Sequence, residues 1–139
     1  MSEIKAELSI RNQYWIPKHR YYELKHYCLQ YPEWLKLYSK IQFKMESRND
    51  WEIRSSTPGD PTAHVAQLRA DLSRAISRIQ KCIDNSTDIP AIRAGLFKAV
   101  TEDVSYSKLQ ALYNIPCGKD MYYDCYRRFF WLLSKEKGI

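Results

Sequence analysis

The chain has 139 residues, 45% of them hydrophobic and 14% aromatic, enough for one packed domain, or a small domain with a helical arm, without disulfide staples. Its net charge of +6 is concentrated in residues 1–48 and 90–139, while 49–89 is close to neutral, a distribution that suits a polyanionic partner touched by both ends. No apolar run approaches the length of a membrane span and MSEIKAELSI lacks the apolar core of a signal peptide, so the expected compartment is the cytoplasm, with no membrane partner.

Residues 1–16 are weakly patterned. Leu8, Ile10, Tyr14 and Ile16 fit a short strand or an extended arm, ended by Pro17. From Lys18 the spacing of Tyr21, Leu24 and Cys28 predicts a helix. Pro32 then restarts a second one, with Trp34, Leu35, Tyr38 and Ile41 at helical spacing. The pair reads as a packed helical hairpin, and 1–44 as an N-terminal helical unit. Its tyrosines read mainly as core-edge residues with wet hydroxyls.

Residues 45–60 lose the helical period and contain Ser-Ser-Thr-Pro-Gly-Asp, which marks a linker. Asp60–Pro61 is a cap followed by proline, a helix start. Val65, Leu68, Leu72, Ala75 or Ile76, Ile79 and Cys82 or Ile83 then form a long apolar seam, with Arg69, Asp71, Arg74, Arg78 and Lys81 opposite. The seam is expected to pack within the chain. Pairing with a twin, a homodimer through 61–84, is the other way to bury it.

The stretch 88–133 organises the rest. Asp88 caps a helix that has Pro90 just inside it, with a buried stripe of Ile92, Leu96, Ala99 and Val100. Asp103 or Ser105 caps a short second helix, where Tyr106, Leu109, Leu112 and Tyr113 share a face. After Asn114–Ile115–Pro116 a third helix carries Met121 or Tyr122, Cys125, Phe129 and Leu132 at its core positions. Short helix, tight break and longer helix make the outline of a helix-turn-helix within 61–139, with Ile115 as the plug of the turn and Pro116 opening the next helix. The fold class expected is therefore all-α, with the long helix packed on this motif.

Double-stranded DNA is the partner the pattern fits. Lys119, Tyr123 and Arg127, with Arg128 close by, are the expected groove contacts of the third helix. Ser105, Tyr106 and Lys108 are placed to hold phosphate at the start of the second.

Cys28, Cys82, Cys117 and Cys125 form no CxxC pair and only three histidines are available, so neither a metal site nor a cofactor is expected. Four glycines give no phosphate-cradling loop, and no Ser-elbow, HExxH or GKS/T motif occurs; an enzyme is not expected.

DPTAHVAQLRADLSRAISRIQKCI followed by SYSKLQALYNIPCGKDMYYDCYRRFFWLL resembles phage and prophage regulators of the ArpU/RinA type, over about 58–134. The C-terminal part of those proteins is similar to region 4 of sigma factors. Ser105, Tyr106, Leu109 and Ile115 match that pattern, and Asn114 takes its small-residue place. Pro116 stands where a capping Ser is usual, and Asp120 and Asp124 where such proteins are more basic. YYELKHYCLQYPEW also resembles small phage proteins of Gram-positive bacteria. The resemblance implies a DNA-binding transcription regulator that also contacts RNA polymerase. A phage packaging or assembly protein of small-terminase type, using the helices to oligomerise, is the competing expectation.

Overall fold

The computed structural model describes residues 12–46 and 61–138, and among them it is all-helical with no strand. Six helices follow one another: α1 Lys18–Leu29, α2 Tyr31–Glu46, α3 Pro61–Ser86, α4 Pro90–Glu102, α5 Tyr106–Tyr113 and α6 Lys119–Lys137. The linker expected at 45–60 and the Asp60 cap lie outside the described residues, except that Met45 and Glu46 complete α2.

The chain divides into two compact units, residues 1–30 with 78–139, and residues 31–77. This boundary differs from the expected N-terminal unit 1–44. The reason lies in α1. Its buried face, Tyr21, Leu24 and Cys28, is the one the spacing predicts, but it packs against α4 and α6. The expected hairpin with α2 assigned the right face to the wrong partner. The Tyr21 hydroxyl meets that of Tyr126 at 2.7 Å, and its ring stands edge-on to Phe130 at 5.1 Å. Buried phenols of this kind combine ring burial with a satisfied polar tip.

Proline positions explain the helix starts. Pro17 precedes α1 and its carbonyl accepts the Tyr21 N–H. Pro32 lies in the first turn of α2, where a missing N–H is harmless, so the break falls at Gln30. Pro90 opens α4, but the capping residue is Ile89, not the expected Asp88, which is exposed. Arg93 compensates by reaching back. Its Nε donates to the Thr87 carbonyl (2.7 Å) and its Nη2 to the Asp84 carbonyl (2.9 Å), satisfying acceptors around the end of α3.

The long seam of α3 is graded. Leu68 is 40% exposed, Leu72 is 7% exposed, and Ile79, Cys82 and Ile83 are buried. The buried end belongs to the first unit, where Arg78 Nη1 donates to the Tyr27 hydroxyl (2.8 Å) and Lys81 pairs with Glu136 (3.2 Å). That end of the seam is core, so any twin pairing through 61–84 is narrowed to its first half.

Among the described residues of 31–77 the core apolar residues are Tyr31, Ile41 and Leu72, and Leu35 is 42% exposed. Within this unit Arg69 bridges α3 to α2, its Nε donating to Gln42 Oε1 (2.6 Å) and its guanidinium lying over the Tyr38 ring.

Candidate nucleic-acid interface

The stretch expected to form a helix-turn-helix comprises α4, α5 and α6, with α4 packed against both of the others. Ser105 is the N-cap of α5 and its Oγ accepts the Lys108 N–H (3.2 Å). Asn114 ends α5 in the left-handed region, φ 51, where a short amide side chain is tolerated. That reversal points Ile115 inward. Its side chain is 5% exposed and fills the space over Gly95 on α4. A Cβ built on Gly95 would crowd Ile115 Cδ1, so a larger residue here would push the isoleucine side chain out of its place; the constraint is close approach rather than backbone angle.

Two side chains tie the turn from beneath. Tyr106 donates its hydroxyl to the Cys117 carbonyl (2.8 Å). Gln110 Nε2 donates to the Ile115 carbonyl (3.0 Å), the Cys117 carbonyl (3.1 Å) and the Tyr106 hydroxyl (2.6 Å). The turn spans 114–118, and Gly118 caps α6, which starts at Lys119. Pro116 therefore lies inside the turn and does not open the helix. Gln110 carries much of this network and had no role in the sequence reading. Its one-turn spacing from Tyr106 was the available signal.

Several expected contacts need correction. Tyr123 is 4% exposed, stacked among Tyr106, Tyr122 and Tyr126, so it is core and not a groove contact. The cause is that α6 is covered on two sides, by α1 and α4, which widens its buried face to Tyr122, Tyr123, Cys125, Tyr126, Phe129, Phe130 and Leu133. Tyr106 is half-buried with its hydroxyl proton given to Cys117, which removes it as a phosphate donor. Leu112 (61% exposed) and Tyr113 (52%) lie outside the core expected of them, and Tyr113 has the Lys98 ammonium over its ring. Of the expected alternatives Met121 and Tyr122, Tyr122 is the buried one and Met121 is exposed, and Leu133 takes the core place expected of Leu132.

Ser105, Lys108, Lys119 and Arg128 are exposed, and Arg127 is half-buried. The outward stripe of α6 is Asp120, Asp124 and Arg128, one turn apart, with Trp131 and Lys135 following on the same side. Its first half is acidic and its second half basic, the arrangement that a helix dipole favours at each end.

Burial disfavours the thiolate form at all four cysteines. Burial pushes Cys28 well above the ordinary range and Cys82 up to about 11, and raises Cys117 and Cys125 as well. Among the described residues no group of His, Cys, Asp and Glu is arranged to hold a metal ion, and no helix is long and apolar enough to cross a membrane.

Among the described residues the structure is thus all-helical, with α4 packed on both α5 and α6. No protein family, no curated protein and no solved structure matches it.

Proposed function

We propose that the chain is a duplex-DNA-binding regulator that docks through the helix-turn-helix. Phosphates are held by Ser105, Lys108 and Lys119 around the turn and by Arg128 on α6, with Arg127 at the margin of the contact. The observation that carries this reading is the Ile115–Gly95 contact, which fixes α6 against α4 with the exposed end of α5 and the exposed side of α6 both free of the core. Rigid placement of one helix beside a cap-bearing helix start is what groove docking needs. The phage setting, transcriptional role and polymerase contact rest on the ArpU/RinA resemblance.

Asp120 and Asp124 repel a phosphate-lined groove wall, so the phosphate contacts fall to the exposed Ser105, Lys108, Lys119 and Arg128 on either side of them. Affinity is expected to fall steeply with salt, and Lys108→Ala and Arg128→Ala should each lower the log–log salt slope by about one. Mobility shifts on fragments selected from random DNA, run across a salt series, check this. Wild-type affinity and slope in both variants would remove α5 and α6 as the docking surface.

A second reading is favoured by the same acidic pair together with exposed Leu112, Tyr113 and Met121: an assembly protein whose helix-turn-helix contacts other proteins. Light scattering separates the two, since a closed ring of many subunits belongs to the assembly reading.

A further inference from the structure

At the far end of α6 from the turn lies a groove of about 750 Å³, between the start of α1 and the last turns of α6. Trp15 and Trp131 both line it, with His19, Glu23 and Lys135 at its margins. All of these residues belong to the first unit. Both indoles are half-exposed, an unusual use of two large aromatic residues at one place unless something covers them.

The groove is built rather than incidental. Tyr14 meets Trp131 edge-on at 5.3 Å and fixes the plane of its ring. Arg20 ties the floor together, its Nε donating to Ser134 Oγ (3.1 Å) and its Nη2 to the Ser134 carbonyl (3.0 Å) and the Gly138 carbonyl. The same guanidinium pairs with Glu23 through Nη1, which offsets the carboxylate that lines the groove among the described residues. Lys135 is exposed at its mouth. Its ammonium lies 3.8 Å from the centre of the Trp131 ring.

We propose that this groove binds single-stranded nucleic acid, with bases stacked on Trp131 and Trp15 and the adjoining phosphate on Lys135. Three features select that occupant. Flat indole faces accept any base, because every base has a π-face. The Lys135 ammonium rests on the indole face, so an entering base takes its place there and the exposed lysine moves onto the adjoining phosphate. The chain's net charge of +6 attracts a polyanion and opposes a basic partner. A duplex does not fit the same chemistry, since its bases are stacked on one another. The proposal is therefore independent of duplex docking at the helix-turn-helix.

The test is titration of the full chain with a short oligothymidylate, read by tryptophan fluorescence. Two of the four tryptophans line the groove, so saturation should lower emission by up to about half. Trp131→Ala should weaken binding about tenfold or more, Trp131→Phe by clearly less, and Lys135→Ala should lower the salt dependence. Circular dichroism melts of each variant verify that the half-exposed substitutions leave the fold intact. Trp15→Ala, which lies off α6, should also weaken oligothymidylate binding while duplex binding stays at the wild-type level, so loss of one activity does not mimic loss of the other. The proposal is overturned if oligothymidylate leaves the fluorescence unchanged or if Trp131→Ala binds it as tightly as wild type. It is equally overturned if polyglutamate or a proline-rich peptide occupies the groove in preference to the oligonucleotide.

Discussion

The two compact units use similar sequence material very differently. Both contain amphipathic helices rich in Leu, Ile, Tyr and Trp. Among the described residues, 31–77 nonetheless bury only Tyr31, Ile41 and Leu72, and the other buried apolar residues belong to the unit of 1–30 with 78–139. The difference lies in the number of neighbours. α6 is covered by α1 and α4 together, so a broad face of it leaves water, whereas α2 has no such pair of covers among the described helices. Helical periodicity reports which face is apolar, and the number of packing partners decides how much of that face is buried.

The widest test of this contrast compares side-chain truncation in the two units. Phe129 is fully buried on α6, and Phe129→Ala should cost about 3–5 kcal/mol through lost transfer energy and the cavity left behind. Leu68 is 40% exposed on α3, and Leu68→Ala should cost under about 1 kcal/mol. Urea melts with a shared m-value measure both. Equal losses would mean that residues 31–77 contain a core as demanding as that of the first unit.

The next effect is local to the turn. Gly95→Val places two methyls where Ile115 Cδ1 now lies, and overpacking of this kind should destabilise by about 1–3 kcal/mol despite valine's better helix propensity. Ile115→Ala made in the same chain should recover part of that loss, because it empties the contested space. A double-mutant cycle with additive losses would show that the two residues are not in contact.

These contacts also mark how far the sequence could be read. The all-α class, the buried faces of α1 and α4, the Ser105 cap and the Ile115 plug all follow from spacing within one helix or across one turn. The pairing of α1 with α4 and α6 does not, because an apolar stripe carries no record of its partner. Tyr123 was misplaced for that reason: helical spacing from Lys119 and Arg127 put it on an outward stripe, and the second cover of α6 made it core. The groove at Trp131 was missed because its walls come from residues more than a hundred positions apart. Tyr14, Trp15 and Trp131 are separated in sequence by everything that organises the fold.

A smaller, pH-dependent effect distinguishes the first unit. The thiols of Cys28 and Cys82 and the phenol of Tyr122 are held neutral by burial, each with its folded value raised above the ordinary one. Stability from a raised acid is complete below its ordinary value and drains as pH climbs through the folded value. For Cys82 that window runs from the ordinary 9.0 to about 11. Melting temperature should therefore hold through neutral pH and decline above pH 9, and Cys82→Ala should make the decline shallower. An unchanged slope in that variant would assign the alkaline loss to other groups.

The smallest expected effect is at Asp103, where two terms of opposite sign meet. This residue ends α4 with φ 57, a conformation that disfavours most side chains, and its carboxylate pairs with Lys25 on α1 at 3.6 Å. Asp103→Gly relieves a backbone cost of up to about 1 kcal/mol and removes a half-exposed ion pair worth about 0.5 kcal/mol or less. The net change should lie within about 0.5 kcal/mol of zero, with the sign set by the backbone. Asp103→Asn separates the terms, since asparagine tolerates the same φ and carries no charge; its loss alone measures the pair. If Asp103→Asn falls by more than about 1 kcal/mol, the Lys25 bridge is a principal tie between α1 and the helix-turn-helix rather than a minor one.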